Sequence, residues 1–290
     1  MKQIAANKSF EGTQYVFSHW SSTCHCNMTF AIFMPPQSES GKVPVLWYLS
    51  GLTCTHQNVM DKGDYRQSAA ELGLAIVCPD TSPRGDEVAD ESDNWQFGKG
   101  AGFYLDATEP RYATHYNMQS YILSELPALL ESSGLALDFS RQGIFGHSMG
   151  GHGAITLALK NSDRFQSVSA FAPITQPSTA DWSRPAFEKY LGSDPATWRA
   201  YDSTFLIEDG FRVQEMLVDQ GTADSFIDNG LRPHLLKEAC ERAGISLTLN
   251  MREGYDHSYF FISTFMANHL RWHAERLSRE PAFQVSRAAP

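Results

Sequence analysis

The stretch Ile144-Phe145-Gly146-His147-Ser148-Met149-Gly150-Gly151-His152-Gly153 constrains the fold of this chain more than any other. An apolar run ends in a serine set between glycines, and Ala154-Ile155-Thr156-Leu157-Ala158-Leu159 follows with the composition of a helix. Gly-x-Ser-x-Gly between a strand and a helix predicts a sharp turn that lifts the serine hydroxyl above a sheet. Such a turn leaves no room for neighbouring side chains, so Gly146 and Gly150 must lack a Cβ. The helix behind it directs amide dipoles at the hydroxyl, where they favour developing negative charge.

The rest of the chain predicts the sheet around that turn. Residues 14–20 and 27–33 alternate apolar and polar positions and read as two antiparallel edge strands, the second closed by Pro35-Pro36. Residues 43–50 and 75–79 are nearly continuous apolar runs, as strands buried on both faces require. Further strands are expected at 167–171, 215–219 and 246–251, and Cys24-His25-Cys26 also reads as strand. Helices are expected within 59–72, 118–132 and 233–243, with a final amphipathic one at about 259–277. Strands alternating with helices imply the α/β class, a mostly parallel central sheet of about eight strands covered on both faces. Ligands of such sheets bind at the strand C-terminal ends. No repeat or linker divides residues 1–290, which read as a single domain. Within it, 175–211 is rich in Trp, Tyr and Asp and is expected to form a cap-like insertion of short helices. The Gly- and Asp-rich excursion 81–110 is long for a compact domain, and its aromatic residues favour an ordered, functional loop.

Composition then excludes several function classes. A formal charge of −10 argues against nucleic acid or an anionic membrane surface as partner. No window approaches the ~18 consecutive apolar residues of a membrane span, and residues 1–8 lack the apolar core of a signal peptide. The five cysteines, an odd number without a secretion signal, predict reduced thiols in a cytoplasmic compartment. Cys24-His25-Cys26 has no second pair at zinc-site spacing, and Lys99 between glycines lacks the spacing of a phosphate loop. Neither a metal nor a nucleotide is expected.

A serine hydroxyl is a poor nucleophile at neutral pH and needs a base held by a third group. After such a turn the acid and then the histidine follow in chain order, on loops beyond later strands. Of ten histidines, His19, His25, His56 and His115 precede the serine, and His147 and His152 flank it before any acid in that order. His234 opens a helix, while His269 and His273 share a helix face. His257 alone follows the last strand in a glycine-containing loop, and it is the predicted base. Among Asp219, Asp224, Asp228 and Asp256, the turn Gly221-Thr222-Ala223 favours Asp224 as a carboxylate reaching back across the sheet edge. Asp219 is expected to bond backbone at its strand end, and Asp256 to point away from His257. The predicted oxyanion donors are the amides of Met149 and, in the loop Gly51-Leu52-Thr53, of Leu52.

At these residues the chain resembles the S-formylglutathione hydrolase family, also called esterase D. Ser50-Gly51-Leu52-Thr53-Cys54-Thr55 and Gly254-Tyr255-Asp256-His257-Ser258-Tyr259 carry the likeness, together with residues 79–85, 98–104 and 145–154. The resemblance runs along nearly the whole chain and implies an α/β-hydrolase fold. It implies a cytoplasmic thioesterase that hydrolyses S-formylglutathione to glutathione and formate, completing formaldehyde detoxification, with no cofactor and as a homodimer. The family's triad falls on Ser148, Asp224 and His257, and its oxyanion amides on Leu52 and Met149. A broad short-chain carboxylesterase or acyltransferase of the same fold is the alternative. Tyr112 stands where a Trp is expected and Gln96 where relatives often carry Asp, and both are expected beside the pocket. Trp182 is a candidate wall for a small acyl pocket. Cys54 is a candidate for thiol-dependent inhibition or a small buried filler, and Lys62, Lys99 and Arg84 are candidate partners for the glutathione carboxylates.

Overall fold

Apolar runs too continuous to alternate take the middle of the sheet, where both faces are covered. Val45 to Leu49 and Ala75 to Cys78 are accordingly fully buried. The computed structural model describes residues 1–91 and 94–278; two residues of the excursion 81–110 and the last twelve of the 1–290 span lie outside the described residues. Nine strands form one sheet: β1 (Lys2–Ser9), β2 (Gly12–Ser21), β3 (Cys26–Met34), β4 (Val43–Leu49), β5 (Ala75–Pro79), β6 (Leu137–His147), β7 (Phe165–Phe171), β8 (Glu215–Gly221) and β9 (Ser246–Arg252). Their order is β1-β2-β3-β5-β4-β6-β7-β8-β9. The first three pairings are antiparallel and the remaining five parallel.

The strand beyond the expected eight is β1. Six of its eight residues are exposed and none is buried, so no periodicity marks it, and pairing with β2 holds it at the edge. β2 and β3 therefore lie further in than expected. Cys24 and His25 sit in the turn before β3 rather than in a strand, with His25 at φ 48°. Between β4 and β6 the chain switches direction across the sheet, since β5 lies on one side of β4 and β6 on the other. A crevice opens at the C-terminal strand ends at such a point.

Helices cover both faces. Gly151 of helix Met149–Lys160 abuts Ala170 of β7, while helix Tyr259–Leu277 meets Ser167 and Ser169 through His273 and His269. Alternate strand residues point to opposite faces, so the two helices lie on opposite sides. The helix expected within 59–72 is broken into His56–Lys62 and Arg66–Leu72, with Gly63 closing the first piece and Asp64 at φ 52°. The one expected at 118–132 contains a π turn, Tyr121–Glu125, just before Pro127. A proline has no N–H for the carbonyl four residues back. Here that carbonyl belongs to Leu123, and Arg164 Nη1 donates to it at 2.6 Å instead.

Residues between β7 and β8 form short helices, the longest Arg184–Leu191. In the excursion after β5, Phe103 and Tyr104 are buried, and Tyr104 donates to Ser50 O at 2.8 Å, tying this loop to the end of β4. Among the described residues no helix is long and apolar enough to cross a membrane.

Candidate active site

Ser148 leaves β6 at φ 57° and ψ −117° and heads helix Met149–Lys160. Such a backbone costs on the order of 1–3 kcal/mol in a non-glycine residue and persists only where the surroundings enforce it. Its amide donates to Phe171 O at 2.9 Å, and its carbonyl accepts the amides of His152 at 2.9 Å and Ile174 at 3.3 Å. The flanking glycines are sterically required, as the sequence predicts. A Cβ on Gly146 would stand 2.5 Å from Leu49 O, and one on Gly150 would stand 2.6 Å from Ser50 O and closer still to Leu49 O. The elbow therefore presses directly on the end of β4.

Two loops from the far side of the sheet bring the other predicted residues to it. His257 follows β9, and its Nδ1 lies 2.5 Å from Asp224 Oδ2 after β8. Asp224 is buried; its Oδ1 accepts the Phe226 amide at 2.9 Å, and Gln220 Nε2 donates to Oδ2 at 3.2 Å. Bonds on both oxygens fix the carboxylate plane, and the carboxylate in turn fixes the imidazole with Nε2 left as its other nitrogen. Asp256 points away, accepting from the Ser258 amide and hydroxyl. Asp228 is exposed. Asp219 departs from expectation: its carboxylate takes Asn250 Nδ2 at 2.7 Å and Arg252 Nε at 2.9 Å on β9, and only its carbonyl bonds backbone, at Ala172 N.

Ser148 and His257 line one cavity of about 360 Å³, with Leu52, Cys54, Asn58, Trp95, His147, Trp182, Phe226 and Tyr259 among its other walls. A wider depression of about 890 Å³ lies at the N-terminal ends of β4 and β6 and holds none of the predicted site residues. Among the described residues the Leu52 amide donates to no protein group, whereas Thr53 N goes to Gly100 O and Cys54 N to Gly51 O. Met149 is the first residue of its helix, where amides lack an intrahelical acceptor. Both predicted donors are thus free at the site.

His147, set aside as the base, packs its ring 4.4 Å from that of His257. Burial above all, and the neighbouring His257, push its imidazole well below the usual range, so it stays neutral there. Trp95, Phe226 and Tyr259 are wall residues that sequence reasoning missed. The available signal for Phe226 was an aromatic two residues after the acid. Trp182 lies on the cavity as expected. Tyr112 and Gln96 do not line it: Tyr112 is buried against Tyr116 and Tyr190, and the Gln96 amide closes a turn on Asn94. Trp95, next to Gln96 in the chain, supplies the wall instead. Arg84 is spent on Asp80 and Cys54 O, and Lys99 lies 4.0 Å from Asp90. Burial raises the Cys54 thiol above its usual range, so it is a protonated wall group at neutral pH. Among the described residues no three His, Cys, Asp or Glu side chains converge as metal ligands.

Comparison with known proteins places the chain in a family. A family model described as a putative esterase matches residues 21–272. An S-formylglutathione hydrolase of Paracoccus denitrificans is 51% identical over 274 residues, covering 94% of this chain and 97% of the relative. The mouse protein of that name is 49% identical over 96% of this chain and 99% of its own. A solved S-formylglutathione hydrolase from Agrobacterium tumefaciens superposes with a TM-score of 0.94 at 62% identity, covering 96% of this chain and all of its own. Likeness of this extent, in sequence and in structure, shows that the chain belongs to the S-formylglutathione hydrolase family.

Proposed function

We propose that this chain is a serine thioesterase that hydrolyses S-formylglutathione to glutathione and formate. The observation that carries the reading is the His257–Asp224 pair, closed at 2.5 Å beside an elbow serine in the same cavity. Ser148 Oγ attacks the formyl carbon while His257 Nε2 takes its proton. Asp224 holds the imidazole and stabilises its charged form. The amides of Leu52 and Met149 receive the carbonyl oxygen as it becomes an oxyanion. The carbon–sulfur bond breaks, glutathione leaves as its thiol or thiolate, and Ser148 carries the formyl ester. Water activated by His257 then attacks that ester and releases formate. Every step draws on the chain's own groups, so no metal or cofactor enters the reading. Its product placement suits the last step of glutathione-dependent formaldehyde removal. We read the enzyme as a cytoplasmic homodimer built from single-domain subunits, with 175–211 as a cap over the site.

Selectivity tests the substrate. The aromatic walls Trp95, Trp182 and Phe226 suit the smallest acyl group. One carbon in a closed apolar pocket discriminates by about 10–200-fold. S-formylglutathione should therefore exceed S-acetylglutathione in kcat/KM by about that factor, and exceed p-nitrophenyl acetate as well. Equal kcat/KM for all three, measured side by side, would leave a broad carboxylesterase.

A further inference from the structure

The turn Ile227–Leu231 begins three residues after Asp224 and contains Gly230, which is buried. A Cβ at position 230 would fall 2.5 Å from Trp182 Cε2 and closer to Nε1 and Cζ2. Gly230 is not among the residues with positive φ, so its backbone suits any L-residue. The three atoms nearest to such a Cβ all belong to the indole. Trp182 lines the cavity and Gly230 does not, and the glycine packs on the Nε1–Cζ2 edge of the indole. The indole Nε1 is buried without a hydrogen-bond partner, so packing alone sets its place. The ring also meets Trp95 at 5.8 Å and Phe226 at 6.1 Å, and Phe226 meets the His257 ring at 5.1 Å.

We propose that Gly230 is a positioning residue that sets the depth of the acyl pocket by seating Trp182, from the same segment that carries Asp224. This rests on the reading of Ser148 as the acyl-bearing nucleophile. A methyl at 230 drives the indole into the cavity, which shortens the space for an acyl chain while leaving room for a formyl group. Selectivity between acyl lengths then belongs to the pair and not to Trp182 alone.

The test is a double-mutant cycle on the full chain: Gly230→Ala, Trp182→Ala and both, each assayed on S-formyl-, S-acetyl- and S-butyrylglutathione. Gly230→Ala should lower kcat/KM for the butyryl thioester at least about tenfold relative to the formyl thioester. In the Trp182→Ala background the same substitution should change that ratio less than about twofold, because the group it strikes is gone. An equal loss at every acyl length would overturn the proposal, as would a selectivity shift that persists without Trp182. If Gly230→Ala fails to fold, the double variant should still fold like Trp182→Ala, and its failure to do so would show that Gly230 serves something other than the indole. Ser148→Ala, run alongside, separates the two levels: activity retained there sinks the serine reading on which the proposal rests, whereas selectivity unmoved by Gly230→Ala sinks the role of Gly230 alone.

Discussion

Ser148→Ala abolishes thioester turnover, lowering kcat by about 10⁶-fold, as loss of the nucleophile does in other serine hydrolases. The fold should survive, because the hydrogen bonds that hold the elbow use the backbone of Ser148 and not its hydroxyl. Alanine also inherits the φ of 57° without adding bulk beside Gly146 and Gly150. What remains is catalysis from the amides of Leu52 and Met149 and from binding, about 10³–10⁴ over water. Steady-state kinetics with S-formylglutathione check this, with circular dichroism as the folding control. A loss smaller than about tenfold would remove Ser148 from the chemistry.

Acid should unfold the protein early. His147, His152, His269 and His273 are all buried, and burial is the largest influence lowering each of them, His152 to about 3. The charges that face them do not reverse this. His147 has His257 beside it, His273 has His269 and Arg276, and His269 has Asp219 at 3.8 Å on one side with Arg252 beyond. Below the unfolded value near 6.5 the unfolded chain takes up protons that the folded chain refuses, so stability falls as pH falls. Each histidine contributes up to about 1.4 kcal/mol per pH unit, and only until the folded group itself titrates. Asp219, whose carboxyl is lowered by His269, Asn250 and Arg252 against the opposing effect of burial, adds loss only below the usual carboxylate range. Against a total stability of about 5–15 kcal/mol this loss is large enough to unfold the chain in acid. Urea melts from pH 7.5 downward check this, and a stability unchanged to pH 5 would contradict it.

What was legible in the chain was what local chemistry dictates. The elbow showed because two backbone approaches exclude Cβ atoms at Gly146 and Gly150, and only glycine meets that. The ends of Pro233–Ala243 and Tyr259–Leu277 showed because a proline opens the first and Ser258 caps the second. His257 and Asp224 followed from chain order, which the parallel topology enforces. β1 was hidden because an exposed edge strand needs no apolar alternation; pairing with β2 supplies its bonds. Two cavity walls were hidden for another reason. Trp95 and Phe226 come from separate loops that meet on Trp182, and nothing local to either records the meeting. His269 and His273 were legible as one helix face but not as a buried one. Their partners are Ser167 and Ser169, two polar residues on the same side of a strand otherwise fit for the core. That alternation was in the sequence, and it was the signal that the facing helix carries polar groups inward.

Cys54 lines the same cavity as Ser148 and is the rival nucleophile, so the decisive measurement locates the acyl group. The enzyme is acid-quenched during turnover of S-formylglutathione, digested, and mapped by mass spectrometry, with Cys54→Ser treated in parallel. The account predicts a formyl group on the peptide bearing Ser148, in both proteins. A formyl group on the Cys54 peptide, or its disappearance in Cys54→Ser, would contradict it.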